Sequence, residues 1–145
     1  MDKLSESLRL CGVIVVASLF LRGASGAAAP PLATQSFTVA DRSEVSAIVH
    51  ARCGRCAWGE TGREAAVLRL LVDGKYSQHL VLARGDAADA GYRVMLGSYE
   101  RGPHQLTIEL DRELSARGIG ETTISRVDVT ELQAVRGDDH LDVPD

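Results

Sequence analysis

The chain has 145 residues, a formal net charge of −4 at pH 7, 45% hydrophobic and 4% aromatic residues. That length suits one domain with a sizeable core and excludes two. The acidic balance argues against nucleic acid and against an anionic membrane surface as partners, since both favour basic faces.

The apolar run from Leu10 to Leu21, preceded by Lys3 and Arg9 and followed by RGASGAAAP, reads as a secretory signal peptide. It is shorter than the roughly 20 residues a membrane helix needs, so stable insertion after cleavage is not expected. Cleavage is expected after Ala27 or Ala28, because a later cut would place Pro30 beside the scissile bond. The domain boundaries follow: signal peptide 1–28, flexible lead-in 29–35, folded domain 36–136 and a disordered acidic tail 137–145. The mature protein is expected to be secreted or periplasmic. Cys11 leaves with the leader, so Cys53 and Cys56 remain as a pair in a compartment where disulfides form.

Folding is expected to begin near Ser36. SFTVA sets Phe37 and Val39 on one side, and VSAIVHA sets Val45, Ala47 and Val49 against Ser46 and His50, the two-residue period of half-buried strands. The segment Cys53 to Arg63, CGRCAWGETGR, has no period and reads as a long loop, where function tends to sit. Two apolar runs follow, Ala65 to Val72 and Tyr76 to Ala83, joined at Asp73-Gly74, a dipeptide suited to the positive φ angles of a tight hairpin. Alanine and leucine would also suit a helix over Glu64 to Val72, but Val67, Val72 and the immediate turn favour a strand.

Gly85 to Gly91 reads as a second loop, and Tyr92, Val94 and Leu96 then alternate with Arg93, Met95 and Gly97 in a further strand. After turn chemistry at Glu100 to Pro103, Leu106, Ile108 and Leu110 alternate with polar residues in the most amphipathic strand of the chain. RELSARGIGET reads as a loop. The last run, TTISRVDVTEL, puts Val127 and Val129 in one phase and Ile124 in the other, which predicts a bulge. Short strands separated by turns, without long helical periods, make the chain all-β: a single antiparallel β-sandwich, jelly-roll-like.

From Glu64 to Leu110 the order of a buried strand, the turn VDGK, a second strand, YRVMLG and a Gly-Pro-His turn into QLTIEL resembles bacterial extracytoplasmic β-sandwich modules. The nearest kinds are jelly-roll, galactose-binding-like and carbohydrate-binding-module-like. Gly102, His104 and Leu106 match the G-x-H-x-L strand start common in them. The resemblance implies a fold and, by analogy of fold alone, a setting near glycans; it carries over no binding residue.

Several constellations could carry chemistry. Cys53-Gly-Arg-Cys56 has the C-x-x-C spacing of thiol exchange but lacks the thioredoxin-like βαβ context, so a local disulfide stiffening the loop, or a pair of solvent-facing thiols without a role, is the expected state. His50, Cys53 and Cys56 could instead supply three zinc ligands, with His79 or His104 as the fourth, although the second knuckle of a strong zinc signature is missing. Trp58, the lone tryptophan, has two placements. The commoner is to fold back over an open end of the sandwich. If exposed, its indole could stack on a sugar ring while Glu60 or Glu64 accepts hydroxyls, with Tyr76 and Tyr99 as further platforms.

Asp86 and Asp89 could hold calcium, but their spacing matches no EF-hand loop, and a solvated turn is the plainer reading. Glu109, Asp111 and Glu113 read as a solvated face rather than a glycosidase pair, and no serine sits in a nucleophile elbow.

The function expected from the sequence is therefore a non-catalytic exported module without metal or cofactor. It would bind a glycan or a cell-surface protein through Trp58, Glu60 and Tyr99. The alternative is a thiol-redox or zinc-binding protein built on Cys53, Cys56 and His50. A third reading is a structural domain that pairs a sheet edge with a partner.

Overall fold

The computed structural model describes residues 30–86 and 90–132. The expected signal peptide, Asp89 and the acidic tail lie outside the described residues. Seven strands form two antiparallel sheets: β1 (Ala33–Val39), β2 (Ser43–Cys53), β3 (Val67–Val72), β4 (Lys75–Val81), β5 (Ala90–Tyr99), β6 (Gly102–Asp111) and β7 (Thr122–Leu132). One sheet has the order β1-β6-β3-β4 and the other β5-β2-β7. Every connection except the β3–β4 hairpin crosses from one sheet to the other, the habit of jelly-roll sandwiches. The all-β sandwich expected from the alternating pattern is the fold observed.

The core lies between the inner faces. Val45, Ala47, Val49, Ala51 and Cys53 of β2 meet Leu68, Leu70 and Val72 of β3 and Leu106 and Ile108 of β6, all buried. A two-residue period sends these side chains to one face of each strand, so burial removes their apolar area from water at about 25 cal/mol per Å². The hairpin forms as its sequence dictates: Val72 pairs with Lys75 across Asp73 and Gly74, whose φ angles are 52° and 73°.

Two irregularities reconcile pattern with packing. Across β2 and β7, His50 faces Arg126 while Ala51 faces Ile124, so Ser125 is the extra residue of a bulge. That bulge brings Ile124 into phase with Val127 and Val129, and all three pack against the core. A second bulge, at Leu96-Gly97 on β5, falls opposite Val45 and Ser46. Ser46, expected to face water, is buried beside it.

Some boundaries shift. β1 begins at Ala33 rather than near Ser36, because the stretch that looked aperiodic pairs with β6 from Ala33 opposite Ile108 onward. β3 begins at Val67 rather than Ala65. Ala65 and Ala66 are buried in the preceding loop, where their carbonyls accept from Ala116 and Leu82.

The strand directions sort the connections into two poles. The β1–β2, β3–β4 and β5–β6 turns gather at one end, and the longer β2–β3, β4–β5 and β6–β7 loops at the other. β2 starts opposite Tyr99 and ends in Cys53. At about 3.3 Å per residue its ends are roughly 30 Å apart.

Candidate functional site

The long-loop pole is built on Cys53 and Cys56. Cys53 ends β2 on its inward face, and a disulfide joins it to Cys56 with the Cα atoms 5.5 Å apart. Both residues are buried. Glycines then allow the β2–β3 and β6–β7 loops to lie against each other: Gly54 N–H donates to the Glu121 carbonyl at 2.9 Å, Gly118 N–H to the Gly62 carbonyl at 2.7 Å, and Gly120 N–H to the Gly54 carbonyl. A Cβ on Gly118 would stand 2.8 Å from Gly62 O, and one on Gly120 2.9 Å from Gly54 O, so side chains there are incompatible with this approach.

Between these supports the chain closes a small loop. Ala57 N–H donates to Arg63 O at 2.8 Å, Glu60 N–H to Ala57 O at 2.9 Å and Arg63 N–H to Glu60 O at 3.0 Å. The Arg63 guanidinium also pairs with the Glu60 carboxylate and donates from Nε to the Arg55 carbonyl at 2.7 Å. Arg55 is anchored in turn by Asp86, whose carboxylate accepts its N–H at 3.1 Å and the Arg52 guanidinium at 2.8 Å. Those two bonds, the Arg55 N–H foremost, hold the Asp86 carboxyl below its ordinary range. Asp86 is thus a brace between loops.

Trp58 stands at the tip, 61% exposed. It does not fold back over the end of the sandwich as the commoner placement would have it. Its side chain rims a groove of about 260 Å³ whose walls include Glu64, Val67, Val81, Leu114 and Ala116. Val81, at the end of β4, and Leu114, in the β6–β7 loop, are themselves 42% and 58% exposed. Three large apolar side chains therefore meet water around one depression. Glu64 supplies its charge: the Gly62 N–H at 2.8 Å, and then its own N–H, hold the carboxyl below its usual value.

The three expected ligand residues are not brought together. Trp58 and Glu60 share the loop, but Glu60 is engaged by Arg63. Tyr99 is at the opposite pole, half-buried, and its hydroxyl donates to Leu96 O at 3.0 Å. The sequence signalled none of Val81 or Leu114, because a valine ending a strand and a leucine in a loop carry no pattern until the fold sets them beside Trp58.

The thiol or zinc alternative meets a different geometry. Residues 49, 51 and 53 of β2 point inward and residues 50 and 52 outward, so His50 is on the face away from the cysteines. Its Nε2 lies 2.9 Å from the Arg126 guanidinium and 3.3 Å from Asp128. The cysteine sulfurs are bonded to each other and buried, without thiolates to offer. Among the described residues no group of three or more His, Cys, Asp or Glu side chains could hold a metal ion. Nor is any helix among them long and apolar enough to cross a membrane.

The acidic run of β6 serves the structure. Glu109 pairs with Arg69 at 2.6 Å, and Asp111 Oδ1 accepts the N–H groups of Glu113 and Leu114 at 3.0 Å, capping the turn that presents Leu114. Ser115 completes that turn by accepting the Val67 N–H at 2.9 Å.

No family model and no curated protein matches the sequence. Among solved structures, the EclA C-terminal domain, a sugar-binding protein, is similar over 70% of this chain and 68% of its own, with 18% identity and a TM-score of 0.43. A β-glucosidase from Paenibacillus barengoltzii is similar over 67% of this chain, with 13% identity and a TM-score of 0.43; the match spans 9% of that enzyme's length. Both likenesses are of the strand sandwich alone.

Proposed function

We propose that this domain is a non-catalytic binding module, working outside the cytosol, whose ligand is a saccharide ring stacked on Trp58. The observation that carries the reading is a water-exposed indole on a loop braced by a disulfide, an inter-loop ladder and two arginine-carboxylate pairs. A platform fixed before binding costs little ordering entropy, which is how one aromatic ring comes to bind usefully. The apolar face of a pyranose covers the indole and the flank of Leu114, while the Glu64 carboxylate accepts ring hydroxyls. The disulfide fits an oxidising compartment, where such bonds persist.

One feature favours a second reading, a cell-surface protein. Apart from Glu64 and Ser115 the groove walls are aliphatic or alanine, suited to an apolar side chain of a partner.

Retention of the unmutated protein and of Trp58→Ala on a glycan array separates the two. Retention by specific glycans that Trp58→Ala abolishes supports the saccharide reading. Equal retention of both proteins removes Trp58 from the site, and no retention of either leaves the protein-partner reading in possession.

A further inference from the structure

The opposite pole holds a cleft of about 490 Å³ between the β3–β4 turn and the end of β5, lined in part by Asp73, Lys75, Tyr76, Ser98, Tyr99 and His104. Its volume falls within the roughly 300–1,000 Å³ of small-molecule sites. Its base is rigid. His104 Nδ1 donates to Asp73 at 2.7 Å and Nε2 to the Glu100 carbonyl at 2.9 Å. The imidazole is stacked on Phe37 at 5.4 Å and tilted against Tyr99 at 5.3 Å. The side wall is tied across the two sheets, since Ser77 Oγ donates to Leu96 O at 3.5 Å and Gln78 Nε2 to Met95 O.

The chemistry of the lining is uneven in a way that selects a ligand. Asp73 is committed to His104 and to the Gln105 N–H at 2.9 Å, and Glu100 pairs with Arg42 at 3.4 Å. Lys75 makes no hydrogen bond or ion pair among the described residues and is held only by Coulombic attraction to Asp73, so its ammonium keeps its donors free for a ligand. Ser98 likewise offers a hydroxyl without a partner among them. The Tyr76 ring, 58% exposed, supplies an apolar face. A small inorganic anion has no use for that ring, and a neutral sugar meets the ammonium only through hydroxyls, without the stronger charge-assisted bond a carboxylate makes. A sugar carrying a carboxylate uses both.

We infer that this cleft is a second binding site, independent of the Trp58 loop, for a carboxylate-bearing saccharide. The test follows amide resonances of the processed protein during titration with a glucuronate-terminated disaccharide, its glucose-terminated counterpart and acetate. Glucuronate is expected to shift Tyr76, Ser98 and Tyr99 saturably, while glucose and acetate bind at least several-fold more weakly. Lys75→Met is expected to weaken the acidic sugar about fivefold, the scale of an exposed ion pair. Tyr76→Ser, also at the surface, should weaken it too, with the spectrum otherwise intact. Trp58→Ala should leave these shifts unchanged, so failure here is distinct from failure of the Trp58 reading. No shift with glucuronate, equal binding of glucose or acetate, or full affinity in Lys75→Met overturns the inference.

Discussion

Cys56 is buried and bonded to Cys53, and Trp58, two residues further on, stands 61% exposed to water. Two residues thus carry the chain from the floor of the sandwich to an exposed indole on the β2–β3 loop. An arm so short cannot carry Trp58 far while Cys56 is fixed.

Removing the bridge should therefore disturb the loop more than the fold. Closing a ring this small contributes about 1–2 kcal/mol by the loop-entropy relation. The double variant Cys53→Ala, Cys56→Ala is expected to melt cooperatively at a modestly lower temperature and to become susceptible to protease within residues 54–63. Thermal denaturation and limited proteolysis, with and without reductant, check both.

The glycine ladder should be equally sensitive. Gly118→Ala and Gly120→Ala each force a methyl to within 3 Å of a backbone carbonyl, a form of overpacking that costs about 1–3 kcal/mol. Gly59→Ala meets nothing within 4 Å and should be close to neutral. Denaturant midpoints of the three variants give the comparison.

How much of this was legible in the residues follows from what produces each feature. The strands and the hairpin could be read because alternation and Asp-Gly turn chemistry act locally; even the bulge in β7 showed as a phase slip between Ile124 and Val127. The start of β1 could not, because an edge strand buries one side only partly and blurs its own period. The site was half legible. Trp58 and the cysteines stand out by type, but which pole holds Tyr99 depends on the direction of β2 and β5, and the company of Val81 and Leu114 depends on three loops meeting.

Stability should depend on pH through the other pole. Asp73, and then the Glu100 carbonyl, raise the His104 pKa above 6.5. A raised histidine contributes stability that is complete below its unfolded value of about 6.5 and is lost as pH rises through the folded one. Asp73 is lowered, chiefly by the His104 hydrogen bond, so its contribution is present above 3.8 and lost as pH falls through its folded value. Melting temperature is expected to decline on the alkaline side of 6.5, and His104→Gln should flatten that decline. The acid limb is shared with Glu64, Asp86, Asp111 and Glu131, whose pKa values are also lowered, and should persist in the variant.

The core sets the scale for these effects. Leu68 is fully buried between the sheets, and Leu68→Ala should cost about 2–5 kcal/mol, a range reaching above that of the loop changes. Equilibrium denaturation measures it.

Because Trp58 is the lone tryptophan, its fluorescence reports the proposed platform with no competing indole. The most direct measurement is its emission in the oxidised protein, free and then titrated with the glycans retained on the array. Emission typical of a water-exposed indole is expected in the free protein, shifting to the blue and saturating as ligand is added. Emission already typical of a buried indole before any ligand, or a spectrum that retained glycans leave unchanged, would contradict it.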